Sequence, residues 1–406
     1  MKQIMCCKCI GIFFFLVLLV LFCNGCENKN IKQIKTATYS WPKDDSVSYS
    51  VGNIAVSGER MVYVQNDILH IRDLTTGNDA VLCSRPDCKH QAGDNKEDNT
   101  SCEAAVPAEA FGSEFVAVGL HGDMVLEVVS SNDEQDMIYL SKVGENNRTK
   151  VATLPYSFSS GHIVFSGTTM YATVKVPVTE GEEGEEIVST CGSKAAVISM
   201  DLTDYKVKKL AEYNSKYGVS VRRLDLCDGK LVYEVEGLNS LSDDTSFSDM
   251  YALSLKSGKE VKIEQEIREE NGKKERIKDY IGCYEGKLYF CDEGKHRIVA
   301  KEPEEKAESQ TVYELKDNRT FIAAELSVDG KLLYNLDDNK SEDYEKCRVN
   351  NYVYDIKEQK LYEASERNSK DYSSMMMWCD KLIAYDMKDG SIVELPLSSY
   401  ATEVKR

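Results

Sequence analysis

The sequence predicts an all-β chain made of seven copies of a four-stranded antiparallel unit, and three observations carry that prediction. A turn followed by alternating hydrophobic residues recurs seven times, reading SGERMVYV, FGSEFVAV, SGTTMYAT, DGKLVYEV, EGKLYFCD, DGKLLYNL and CDKLIAYD in chain order. A further strand follows several of these turns, as ILHIRDLTTG (68–77), DMIYLSK (136–142), AAVISMDL (195–202), DMYALSLKSG (249–258) and NYVYDIKEQK (351–360). Finally, no long stretch carries the 3.6-residue hydrophobic period of an amphipathic helix.

The turns define the hairpins. Glycine accepts the positive φ that a primed two-residue turn demands, so Asp-Gly before alternating hydrophobic residues joins two antiparallel strands. Gly58, Gly112, Gly167, Gly229, Gly286 and Gly330 centre the first six turns and Asp380-Lys381 marks the seventh, at spacings of 44 to 62 residues. A tyrosine recurs in the strand after the turn, as Tyr63, Tyr171, Tyr233, Tyr289, Tyr334 and Tyr385, and is expected to pack between units. Short outer strands follow, such as KEVKIE (259–264) and KLYEA (360–364). Self-similar four-stranded sheets repeating every ~40 to 55 residues are the signature of a β-propeller. Seven blades are expected, with six and eight as the alternatives. Each blade exposes two apolar faces and needs a neighbour on both sides, which closure into a ring supplies. The last unit, SSMMMWCDKLIAYDMKDGSIVELPLS (373–398), is one strand short, and a strand between Thr38 and Tyr49 is expected to complete it.

The N-terminus reads differently. Lys2 and Lys8 precede an uncharged run from Ile10 to Cys23, which has 14 residues, whereas a spanning helix needs about 20. Residues 1–25 therefore read as an export signal. The segment closes on Cys23-Asn24-Gly25-Cys26, which resembles the lipobox of bacterial lipoproteins. The resemblance implies cleavage before Cys26 and lipidation of its thiol, placing the chain on the outer face of the cell membrane. It departs from the family at Cys23 and Asn24, where Leu and a small residue are preferred. Residues 26–45 then form a polar tether, 46–400 the propeller and 401–406 a C-terminal tail.

Removing Lys2 and Lys8 leaves 48 basic against 68 acidic residues, a net charge of about −20. That balance repels phosphate backbones and excludes nucleic acid as a partner. The mature chain resembles the propeller lipoproteins of Gram-positive bacteria, with repeats loosely similar to TolB-type and WD40-type propellers, although no Trp-Asp dipeptide occurs. The resemblance implies a surface binding role and leaves the ligand open among protein, peptide and carbohydrate.

The most unusual local feature is Cys83-Ser-Arg-Pro-Asp-Cys88-Lys-His90, followed by Cys102. Three thiols and an imidazole are the usual ligands of a structural tetrahedral zinc site. A disulfide between two of the three cysteines is the leading reading in an exported chain, with the metal site and unbonded thiols as the alternatives. Six other mature cysteines are Cys191, Cys227, Cys283, Cys291, Cys347 and Cys379. Cys227, Cys283 and Cys379 share one place before the hairpin turn, where packing in the core is the leading reading and a disulfide between different blades, which spacing cannot identify, is the alternative.

No catalytic constellation is recognised. The histidines are His70, His90, His121, His162 and His296, and neither Gly-x-Ser-x-Gly nor His-Glu-x-x-His occurs. The chain ends within the last unit, so the hydrolase domain that accompanies propellers in prolyl-oligopeptidase-like enzymes is expected to be missing. The acidic pairs Asp44-Asp45, Asp243-Asp244 and Asp337-Asp338 and the run GEEGEE (181–186) read as solvated loops. Three functions follow: a non-catalytic binding module, an enzyme using channel carboxylates on carbohydrate or peptide, and a metal- or redox-linked protein using Cys83, Cys88, His90 and Cys102.

Overall fold

A computed structural model describes residues 48–90, 102–107, 115–130, 135–145, 148–176, 194–239, 246–264, 267–270, 273–276, 279–292, 295–315, 320–337, 349–378 and 380–404. The export signal, Cys26, most of the tether, GEEGEE and Cys191, Cys347 and Cys379 lie outside the described residues.

The chain is an all-β, seven-bladed propeller of antiparallel blades. It opens with β1 (Ser48–Val51), and blade 1 follows as β2 (Ile54–Ser57), β3 (Arg60–Gln65), β4 (Ile68–Asp73) and β5 (Asp79–Val81). Blade 2 holds β6 (Phe115–His121), β7 (Met124–Val129), β8 (Met137–Lys142) and β9 (Thr149–Thr153). Blade 3 is β10 (Ser157–Ser166), β11 (Thr169–Val176), β12 (Lys194–Asp201) and β13 (Val207–Asn214). Blade 4 is β14 (Val219–Cys227), β15 (Lys230–Leu238), β16 (Ser246–Ser254) and β17 (Glu260–Ile263), after which β18 (Ile267–Glu270) and β19 (Lys273–Arg276) form a separate hairpin. Blade 5 is β20 (Asp279–Tyr284), β21 (Lys287–Asp292), β22 (Arg297–Lys301) and β23 (Gln310–Glu314). Blade 6 is β24 (Thr320–Leu326), β25 (Lys331–Asp337), β26 (Val349–Asp355) and β27 (Lys360–Ala364). Helix α1 (Glu366–Asp371) leads to the three strands of blade 7, β28 (Tyr372–Trp378), β29 (Lys381–Asp386) and β30 (Ile392–Pro396), and α2 (Leu397–Tyr400) leads to β31 (Ala401–Glu403).

Ring closure is visible in the core. The buried apolar residues fall into seven clusters, one for each pair of neighbouring blades. The cluster joining the ends of the chain packs Val56, Met61 and Tyr63 of blade 1 against Met376, Trp378 and Ile383 of blade 7. Trp378 Nε1 also donates to the Gly58 carbonyl at 2.9 Å. Each blade thus buries both faces against its neighbours, as the repeat pattern requires.

The sequence-derived hairpins at Asp228-Gly229 and Glu285-Gly286 form with both turn residues at positive φ, from 46° to 74°, the backbone of a primed turn. Of the recurring tyrosines, Tyr63, Tyr171, Tyr233, Tyr289 and Tyr334 are buried, but Tyr385 is 39% exposed because blade 7 lacks an outer strand to cover it. Three other expectations are corrected. The run around Gly112 leads into the innermost strand β6, and the blade 2 hairpin turns instead at Gly122-Asp123; a turn followed by alternation marks innermost and second strands alike. Of the N-terminal segment expected to complete blade 7, residues 38–47 lie outside the described residues, and the strand that follows, β1, pairs with β2 and bridges β10 at Ser50–Ile163 instead of joining blade 7. It lies inside the ring, against the innermost strands, and the three-stranded blade 7 closes on blade 1 through side chains. At the other end of the chain, residues expected as tail form β31, which pairs with β27 of blade 6.

Asp136, just before β8, is 3% exposed and accepts the Phe158 N–H at 2.6 Å. Burial raises its pKa to about 6 against that hydrogen bond. A carboxyl whose folded pKa lies above its unfolded value of about 3.9 stabilises fully below the lower value, and that stabilisation is lost as pH rises through the higher one. Asp136→Asn is therefore expected to gain stability relative to the parent between pH 4 and 7, by up to about 3 kcal/mol, in urea unfolding. A difference that does not change with pH would contradict this.

Candidate metal centre

Two kinds of connection separate the faces of the ring. Innermost-to-second and third-to-outer strands are joined by short turns on one face, such as 58–59, 228–229 and 285–286. On the other face lie the long connections, including 82–114, 177–193, 264–278 and 338–348. The connection from blade 1 to blade 2 carries the cysteine group.

Local hydrogen bonds place each of its four side chains. Cys83 follows the end of β5, where Leu82 N–H donates to Leu69 O at 2.9 Å. A turn from Arg85 O to Cys88 N–H, 3.3 Å, brings Cys88 back toward it. His90 has φ +51°, left-handed backbone that β-carbon-bearing residues rarely adopt, and its N–H points at Cys88 Sγ, 3.5 Å away. Cys102 is 5% exposed, and its segment is pinned to blade 1 by Leu69 N–H to Ala104 O at 2.8 Å and by the Ile68–Ala105 bridge.

The result is one compact group. The three Sγ atoms and a ring nitrogen of His90 all lie within 4.8 Å of one another, with Cys102 Sγ 4.0 Å from His90 Nδ1. Tetrahedral zinc with metal–sulfur bonds of about 2.3 Å and a metal–nitrogen bond of about 2.0 Å spaces its ligands about 3.5–3.8 Å apart. The group needs only a slight contraction to meet that. Among the described residues none of the three forms a disulfide, which corrects the disulfide reading of the sequence.

The electrostatics agree with the geometry. Burial pushes the Cys102 thiol up to about 12, with the neighbouring Cys88 and Cys83 sulfurs adding to the rise. At Cys88 burial also opposes ionisation, but the His90 N–H, the other two thiols and Arg85 together lower its pKa. Three thiolates this close repel one another, and a bound dication removes that penalty.

Arg148 supports the group from blade 2. It donates to Glu103 O at 2.8 Å and to Ala105 O, and pairs with Glu127, whose side chain is 1% exposed. A cavity of about 310 Å³ opens beside it, lined by Ile71, Val81, Cys83, Glu103, Ser141 and Arg148 among others. The buried Glu127–Arg148 pair was not legible in the sequence, where Glu127 is one polar residue in MVLEVV.

Elsewhere the histidines separate. His70 bonds Asp79 at 3.1 Å, His121 meets the Gly167 carbonyl at 3.1 Å and His162 lies on β10. Cys227 and Cys283 form a disulfide between blades 4 and 5, not the expected packing of free thiols. Equivalent places on adjacent innermost strands bring their Cα atoms to 5.9 Å, within bridging range. Cys291 is buried and forms no disulfide with a described cysteine.

Neither a family profile nor a curated protein matches the sequence. Solved structures do resemble the ring. An acylaminoacyl peptidase from Pyrococcus horikoshii aligns over 91% of this chain and 54% of its own, with a TM-score of 0.50 at 12% identity. A prolyl endopeptidase aligns over 88% and 51%, also with a TM-score of 0.50 at 12% identity. TolB from Acinetobacter baumannii aligns over 78% and 63%, with a TM-score of 0.35 at 12% identity. The chain spans about half the length of the two peptidases. At such identity the likeness is one of fold alone.

Proposed function

We propose that the chain is an exported lipoprotein, anchored through Cys26, that serves as a non-catalytic binding platform with a zinc ion held by Cys83, Cys88, His90 and Cys102. The direction of β1 carries the reading. Its register with β2 sets Ser48 opposite Ser57, at the face of tight turns, and Val51 opposite Ile54, toward the face of long connections. A tether from Cys26 reaches the ring at the tight-turn face and leaves the variable face turned away from the membrane, where a protein, peptide or carbohydrate ligand has access. The zinc, with four protein ligands and no open position, acts as a structural staple of that outer face.

The buried carboxylates support a binding role over catalysis, because they serve in structural pairings. Glu127 pairs with Arg148, Glu234 accepts from Ser248 at 2.6 Å, and Asp292 pairs with Arg297 at 3.0 Å.

Anchoring has a direct test. In cells fed an alkyne analogue of palmitate, the parent chain is expected to take up label and partition into the detergent phase, and Cys26→Ser to do neither. Label retained by Cys26→Ser would overturn the assignment.

A further inference from the structure

The innermost strands share a distortion. In six of the seven blades the innermost strand carries a register shift against its neighbour, at Phe115/Ala117, Phe158/Ile163, Arg222/Asp225, Tyr280/Gly282, Phe321/Ala323 and Ser374/Met376. These bulges lie in the half of each strand nearer the face of long connections. Bulges re-aim side chains and recur beside binding sites.

One of them is unlike the rest. Arg223, at the bulge of β14, has φ +50°, and among the described residues it is the one non-glycine residue inside a strand with left-handed backbone. Glycine ordinarily takes this place in a bulge because it carries no β-carbon. A strained non-glycine residue persists where surrounding structure enforces it and concentrates at functional sites. Arg223 is exposed, and among the described residues its side chain makes no hydrogen bond or ion pair, although its charge reaches the buried Asp225 carboxyl and His162. The neighbouring Arg222, by contrast, pairs with Glu236 at 3.0 Å.

The adjacent bulge of β10 brings His162 beside it. Ser159 Oγ donates to the Val221 carbonyl at 3.1 Å and accepts from the Thr173 hydroxyl at 3.0 Å, tying the two bulges at one level. Burial, with the nearby Arg223 charge, holds the His162 imidazole down to about 4 and so neutral at pH 7. On the other side, the Asp225 carboxyl is occupied by the Tyr280 hydroxyl, which donates at 2.6 Å, and it forms no ion pair with Arg223. The bulge of an innermost strand thus carries an exposed guanidinium in a strongly acidic protein, with a neutral imidazole nearby.

We infer that the bulges of β10 and β14 form an anion-binding site in which Arg223 supplies the charge and His162 a second polar contact, taking a compact carboxylate or phosphate group of the platform's ligand. The inference rests on the binding-platform reading and names the chemistry that the platform recognises. A guanidinium binds either group through paired N–H donors, and its fixed backbone removes part of the ordering cost.

The test uses the full chain in detergent at pH 7 and constant ionic strength, titrated calorimetrically with sodium phosphate and, separately, with sodium acetate. The two arms distinguish the sources of the anion. Arg223→Gly relaxes the backbone while removing the charge, so it is expected to melt no lower than the parent and yet to lose binding by at least about tenfold. Absence of saturable binding of both anions by the parent, or binding by Arg223→Gly within about twofold of it, would overturn the inference. Zinc content and lipid labelling of the same preparation keep a failure here separate from a failure of the platform reading.

Discussion

Arg148→Met is expected to destabilise the protein by about 3–5 kcal/mol, although the hydrogen bonds and ion pair of Arg148 go to Glu103, Ala105 and Glu127 and not to the four candidate ligands. The side chain pairs with Glu127 across the interior of blade 2, and its guanidinium stands over the rings of Tyr139 and Phe115 at 5.2 and 5.9 Å. Burial already raises the Glu127 carboxyl above the usual range, and the Arg148 charge is the main influence opposing that rise. Methionine keeps much of the volume and removes the charge, leaving Glu127 buried with only the Ser141 hydroxyl, 3.3 Å away. An uncompensated buried charge is what makes breaking such a pair costly. Urea unfolding of Arg148→Met, of Glu127→Gln and of the double variant measures the coupling, and the double variant is expected to recover much of the loss. A single variant within about 1 kcal/mol of the parent would contradict the assignment. Arg148 also holds the carbonyls of Glu103 and Ala105, on either side of Ala104 and next to Cys102. Its loss should therefore weaken zinc binding as well.

Cys102→Ser is expected to abolish zinc binding and to lower stability by up to about 4 kcal/mol where free zinc exceeds its dissociation constant a thousandfold. Serine matches the buried Cys102 closely in volume, which separates loss of the ligand from loss of packing. The ion would join the end of β5 in blade 1 to the segment entering blade 2, so its removal frees that whole connection. Treatment of the parent with a chelator should bring its melting temperature down to that of Cys102→Ser. A parent whose melting is indifferent to the chelator would contradict a structural metal.

The ring was legible because its physics is local and repeated. Asp-Gly turns require positive φ, the hydrophobic runs after them mark strands buried on both faces, and seven such units form a sheet stack stable only when closed. What escaped depends on contacts between distant parts. Alternation cannot distinguish an innermost from a second strand, so Gly112 was taken for the hairpin that Gly122 makes. Hydrogen-bond partners of an unpaired edge are not encoded in spacing, so nothing in the sequence places β1 inside the ring on β2 and β10. Spacing likewise could not choose a bond for Cys227 and Cys283, because the choice was made by the stacking of blade 4 on blade 5.

The candidate metal group was the most readable part of the site. Cys83, Cys88 and His90 are close in sequence, and only Cys102 had to be brought back, which the Leu69–Ala104 hydrogen bond and the Ile68–Ala105 bridge accomplish. Arg148 and Arg223 were not legible. The first gains meaning from a buried partner on another strand, and the second from a backbone angle that no residue type announces.

The proposed centre is one ion held by His90 and the three cysteines Cys83, Cys88 and Cys102. X-ray absorption at the zinc edge of the purified full chain tests it most directly. The predicted result is about one zinc per chain with three sulfur neighbours near 2.3 Å and one nitrogen near 2.0 Å. A chain purified in the presence of zinc that carries none, or one whose zinc has only oxygen and nitrogen neighbours, would contradict it.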